Sequence, residues 1–119
     1  MTFRFERLEV WQLARKFAVN AYQITRTYPK EEKFALIDQL RRAAVSVALN
    51  IAEGSDRKSD KDFVRFLRMA IGSTEEVVTG LFIAKDLNYF TDSQFNKIYN
   101  DANMIVLKIN ALIKSLKKQ

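Results

Sequence analysis

The chain has 119 residues, 48% of them hydrophobic, with 3 glycines, 1 proline and a formal charge of +6; that is ample apolar material for one core and too few turn formers for an all-β or α/β plan. There is no cysteine and no histidine, which excludes disulfides, thiolate or imidazole metal sites, histidine-ligated haem, and Cys or His catalysis. What remains points to a protein that is not an enzyme and needs no cofactor or metal, with a positive charge that suits nucleic acid, an acidic partner, an anionic surface or plain solubility.

In chain order, Phe3 and Phe5 alternate with Arg4, the pattern of a short extended arm with two aromatic anchors. Val10, Ala14, Phe17, Ala21, Ile24 and Tyr28 then recur at spacings of four and three, which predicts a helix over about 8–27, stopped by Pro29. A second helix is expected over about 30–53. Glu31 and Glu32 occupy its first turn, where the helix dipole favours negative charge, and Leu36, Leu40, Ala43, Val47 and Ile51 form its stripe. Gly54 is placed to supply a left-handed C-terminal cap.

The third helix, about 59–88, opens on Ser59 as N-cap. Its stripe runs through Phe63, Phe66, Ala70, Ser73, Val77, Leu81, Ala84 and Asn88. Thr91 and Gln94 have the capping-box spacing that starts a fourth helix, about 92–117, lined by Phe95, Ile98, Ala102, Ile105, Ile109, Leu112 and Leu116. The links are short, and short links make neighbours antiparallel. The expected fold is therefore all-α, a single-domain, up-down-up-down four-helix bundle over 1–119. No stretch approaches the roughly 20 apolar residues of a membrane span, and the charged N-terminus lacks a signal-peptide pattern, so a cytoplasmic protein is expected.

Helices 2 and 3 are apolar nearly all round at Ala43–Ala52 and Val77–Ala84. A four-helix core covers one side of each helix, so a second covering surface is implied. Leu49, Phe82 and Ile83 are the large side chains expected at contacts of a homo-oligomer.

Gln39, Arg42, Ser46, Asn50 and Glu53 form a polar stripe beside the apolar one, with Ser73 and Glu76 a turn apart on helix 3. Folding the hairpin about Ser59 sets Arg42 opposite Glu76 and Glu53 opposite Arg65. This stripe reads first as a structural or subunit-contact ladder and second as a ligand site. Arg57, Lys58, Lys61, Arg65 and Arg68 cluster at the helix 2–3 turn as candidate nucleic-acid contacts. Asp56, Asp60 and Asp62 dilute the cluster, which leaves open a merely solvated, salt-bridged turn. No aromatic interleaving of the single-strand-binding kind is visible there.

The segment Gln39-Leu40-Arg41-Arg42-Ala43-Ala44-Val45-Ser46-Val47-Ala48-Leu49-Asn50-Ile51-Ala52-Glu53-Gly54 resembles the hallmark of the four-helix bundle proteins encoded in 23S rRNA intervening sequences. Asn50 to Gly54 is its most diagnostic part. Leu8 to Trp11 with Ala14, Tyr28-Pro29 with Phe34, Phe63 to Leu67, and Ala70 to Ser73 with Glu76 match as well. The family is also similar to the accessory proteins of diversity-generating retroelements, pentameric barrels that bind nucleic acid and a reverse transcriptase. The resemblance thus implies a bundle that assembles as a pentameric ring, with nucleic acid and a protein such as a reverse transcriptase as partners. It carries over no catalytic residue, and the ribosomal-protein label that some members bear implies no ribosomal role.

Overall fold

The computed structural model describes residues 2–118. Four helices account for most of them: α1 (Glu9–Thr25), α2 (Leu36–Ser55), α3 (Asp60–Asp86) and α4 (Asp92–Lys117). Each helix packs on the next and α4 returns to α1, so four antiparallel rods close around one core in a particle of 47 × 23 × 22 Å. No strand occurs among the described residues.

The helix ends follow local chemistry. The Ser59 hydroxyl accepts from the Asp62 amide at 3.1 Å, and Thr91 and Gln94 form the reciprocal capping box. The α3 helix ends sooner than its periodicity predicts. Asn88 takes a left-handed φ of 60°, its amide donates to the Lys85 carbonyl (2.9 Å), and the Tyr89 amide donates to the Ala84 carbonyl (3.0 Å). This is a Schellman closure with asparagine in the place glycine usually takes. Asn88 is a stop, not a stripe residue.

Three further expectations are corrected. The N-terminal arm is not extended: Arg4–Arg7 is a 3₁₀ turn in which Phe3 stacks on Phe5 at 5.6 Å and Phe5 packs on Trp11 at 4.7 Å. The second helix does not begin at Lys30. Lys30–Glu32 is a separate 3₁₀ turn, and the backbone leaves helical geometry at Ala35 before α2 starts. Glu32 explains the break, because its carboxylate accepts from the Leu36 amide (3.4 Å) and from the Tyr89 hydroxyl (2.6 Å), pinning the link across the bundle end. Gly54 is not a left-handed cap either. It lies inside α2 and is buried, and a Cβ there would sit 2.6 Å from Phe66 Cβ. It is glycine so that α3 can approach α2 closely.

The core runs the length of the bundle through Phe17, Leu40, Val47, Ile51, Leu67, Val77, Leu81, Ile105 and Ile109. Two stripe positions shift by one residue. Ile113 is buried where Leu112 was expected, Leu112 packing from the flank. Thr74 is fully buried where Ser73 was expected. Thr74 can enter the core because its hydroxyl donates to the Ala70 carbonyl at 2.9 Å, which leaves no polar atom orphaned.

Candidate nucleic-acid interface

The chain between α2 and α3 is a tight turn with no proline or free glycine, so its polar residues are held close to two helix ends. Asp56, Arg57, Lys58, Ser59, Lys61, Asp62 and Arg65 line an open groove of about 660 Å³ there. Four cations face two carboxylates, which leaves two positive charges in excess. Four of the five basic residues singled out from the sequence are thus brought together. Arg68, one turn further along α3, is exposed and lies outside the groove.

The cations divide into two kinds. Arg57 folds back on α2, its Nε donating to the Glu53 carbonyl and its Nη2 to the Glu53 carboxylate, both at 3.2 Å. Arg65 Nε donates to Asp62 Oδ1 at 2.9 Å. Both guanidiniums also lie over the ring of Phe66, 4.9 Å from its centroid for Arg57 and 4.6 Å for Arg65. Ring and carboxylate together fix each arginine from two sides. Lys58 and Lys61 are different: both are exposed and make no ion pair among the described residues.

Three residues of this end escaped sequence reasoning. Phe66 counted only as a core position, yet its ring is the seat of two arginines; the signal was its place beside Arg65 and opposite Gly54. Lys117 shares a smaller depression with Lys61, Asp60, Val64 and Leu116. An up-down bundle always returns the end of α4 to the start of α3, so topology could have placed it. Arg4 donates to the Ser55 carbonyl at 3.3 Å and covers Phe63 at 5.1 Å, tying the N-terminal turn to the same end.

The polar stripe on α2 and α3 is assembled differently from its expected ladder. Ser46 and Ser73 share a hydrogen bond of 2.9 Å across the helices, and the Asn50 side-chain amide donates to the Ser46 carbonyl and hydroxyl at 2.9 and 3.0 Å. Gln39 donates to the Glu76 carboxylate at 2.7 Å. Arg42 does not reach Glu76. It pairs with Asp38 on its own helix at 2.9 Å with its side chain 77% exposed, and Glu53 pairs with Arg57, not Arg65. The register was right and the azimuth was wrong. At about 100° per residue, Arg42 points about 160° away from the core residue Leu40, whereas Ser46 and Asn50 lie nearer the α3 side. The stripe is therefore a hydrogen-bonded seam at its centre with local ion pairs at its outer edge.

Leu49, Phe82 and Ile83 are 61%, 45% and 48% exposed. Leu49 lies on a second groove, of about 460 Å³, with Phe3, Phe5, Ala52 and Arg57 among its walls. Phe82 packs edge-on against Phe95 at 5.0 Å and Tyr99 at 6.1 Å. Among the described residues no three acidic side chains converge as a metal-ligating group, and no helix is long and apolar enough to cross a membrane.

Residues 6–111 match the family described as 23S rRNA-intervening sequence protein. No curated protein matches. Among solved structures, the chain is similar to a protein of unknown function from the S23 ribosomal protein family of Bacteroides thetaiotaomicron. The likeness has a TM-score of 0.79 at 26% identity and covers 88% of this chain and 98% of that one.

Proposed function

The chain belongs to the 23S rRNA-intervening sequence protein family, and from that premise we propose that it is a non-catalytic, self-associating bundle that binds nucleic acid at its α2–α3 end. The observation that carries this reading is the groove in which Arg57, Lys58, Lys61 and Arg65 converge, with Lys117 beside it. Lysines without a carboxylate partner are free to exchange counterions for phosphates, and assembly would multiply the charge of +6 per chain into a stronger field. The exposed Leu49, Phe82 and Ile83 support the self-association, and the family resemblance supports five subunits.

Binding of single- and double-stranded probes across a salt series tests the reading. The logarithm of affinity should fall linearly with the logarithm of salt, and Lys58→Glu with Lys61→Glu should weaken binding and flatten that slope by about one to two counterions. No shift of any probe at low salt would overturn nucleic-acid binding and leave a protein-interaction scaffold. Light scattering that reports a monomer at micromolar concentration would overturn self-association.

A further inference from the structure

The two arginines of the groove are held in place, unlike its two lysines. A guanidinium that captures a phosphate does so through its N–H edge, yet Arg57 and Arg65 turn N–H groups to Glu53 and Asp62. Each also rests over the Phe66 ring. With Nε of both engaged, the side-on Nε–Nη2 edge is not free to take a phosphate bidentately, and with the ring beneath each guanidinium the surfaces left to a ligand are the Nη ends and the side turned away from Phe66. Both side chains remain partly open to solvent, 37% for Arg57 and 61% for Arg65, and both line the groove.

A planar cation offering its face stacks on a nucleobase. Bases in a duplex have their faces covered by neighbouring pairs, whereas a single strand can splay a base out. The groove, about 660 Å³, is of a size that holds a small ligand, which suits a splayed nucleotide or two. Lys58 and Lys61, without ion-pair partners, stand on the same groove to take the flanking phosphates.

We infer that the α2–α3 groove binds a single-stranded nucleic-acid segment by stacking bases on the Phe66-backed guanidiniums of Arg57 and Arg65, with Lys58 and Lys61 holding the adjoining phosphates. This rests on the nucleic-acid reading above and narrows it to one class of strand. It also runs against simple electrostatics, since duplex carries the denser charge and would win on phosphate contacts alone. A preference for single strands therefore reports stacking. Nothing in the groove selects a sugar, so RNA and DNA single strands should both bind.

The test compares oligoadenylate RNA, oligoadenylate DNA and the matching DNA duplex on the full chain, with 2-aminopurine placed in the strand to report stacking. Wild type should bind the single strands at least about tenfold more tightly than the duplex and change the 2-aminopurine fluorescence. Arg57→Lys with Arg65→Lys keeps both charges and removes both planes. That variant should lose most of the single-strand preference and the fluorescence change, its single-strand affinity falling by a much larger factor than its duplex affinity. Equal binding of strand and duplex by wild type, or an unchanged preference in the lysine variant, would overturn the inference and leave phosphate binding standing. Failure to bind any of the three probes at low salt would overturn the nucleic-acid reading itself, and this inference with it.

Discussion

At one end of the bundle a chain of aromatic rings fills the space between the helices; at the other, a charged turn leaves a groove open. Tyr28 packs on Tyr89 and Phe90 at 5.3 and 5.8 Å, Phe90 continues to Phe95 at 6.0 Å, and Phe95 meets Phe82 at 5.0 Å. Two links meet at this end, the one from α1 to α2, which holds the 3₁₀ turn Lys30–Glu32, and the one from α3 to α4. Rings pin them together, and the Glu32–Tyr89 hydrogen bond fastens the first link to the second. The opposite end has a single link, held by the Ser59 cap and by the close approach at Gly54. Because those local devices suffice, its side chains are released from structural duty and can carry charge. The difference teaches that this fold is fastened by rings at one end and displays its charge at the other.

If that division is right, truncating the aromatic end should hurt far more than truncating the groove. Tyr28→Ala removes a ring that is 4% exposed and should cost about 3–5 kcal/mol in urea unfolding. Lys58→Ala with Lys61→Ala should change stability by no more than about 0.5 kcal/mol each, because both side chains are exposed and unpaired. Comparable losses at both ends would break the comparison.

The neck beneath the groove sharpens it. Gly54→Ala places a methyl group 2.6 Å from Phe66 Cβ and 3.0 Å from Phe63 Cδ1, and a Cβ can move only if its helix does. The overpacking should outweigh the gain in helix propensity, for a net loss of about 1–3 kcal/mol. Gly80→Ala meets the Leu40 Cδ2 at 2.5 Å, the far end of a flexible side chain. There the propensity gain offsets much of the strain, and the net cost should be about 1 kcal/mol or less. Thermal melts of the two variants give the ranking directly.

These contacts also mark what the sequence made legible. The four helices, their order and two of their caps follow from stripes and from Ser59, Thr91 and Gln94, because periodicity and capping are local. The start of α2 was not legible: Glu31 and Glu32 look like an ordinary first turn until Tyr89, far along the chain, takes Glu32 as its acceptor. Gly54 sat where a helix cap could be, and only the position of Phe66 on another helix shows that it is a contact. The basic cluster was visible as composition, but its two kinds of cation were not. Which arginines lie on Phe66 and which lysines stand free depends on side-chain direction, and a helical wheel does not record that. The same gap misplaced Arg42, whose height along α2 was right and whose direction was not.

At the aromatic end the two tyrosines should respond with opposite signs. The Tyr28 hydroxyl is buried with no hydrogen-bond partner among the described residues. Tyr28→Phe therefore removes an unmet polar group and should raise stability by about 1 kcal/mol. Tyr89→Phe loses the bond to Glu32 and should lower it. The pH dependence follows the same logic. Burial pushes Tyr28 up to about 12, and the hydrogen bond to Glu32, with burial, pushes Tyr89 to about 12 as well. Above the ordinary value of 10 the unfolded chain releases these protons while the folded chain keeps them, so stability should fall as pH rises from 10 towards about 12. Tyr28→Phe should make that decline shallower; an unchanged slope would show that Tyr28 ionises as freely folded as unfolded.

The smallest expected effect is the most pointed test of two separate ends. In a particle 47 Å long, Tyr28 and Lys61 belong to opposite extremities and share no partner. Residues so far apart should contribute additively, so a double-mutant cycle of Tyr28→Phe and Lys61→Ala should give a coupling energy within about 0.3–0.5 kcal/mol of zero. The functional arm of the same cycle should be equally flat: Tyr28→Phe should leave the affinity for a single-stranded probe unchanged, with or without Lys61. Four-helix bundles can transmit strain, since a packed core moves as discrete arrangements and not as a fluid. A coupling well above that bound would mean that α2 and α3, the two helices spanning from the rings to the groove, shift as one body when the aromatic end is loosened. The groove would then be tuned from the far end, and the division between a stabilising end and the proposed binding end would have to give way to a single cooperative unit.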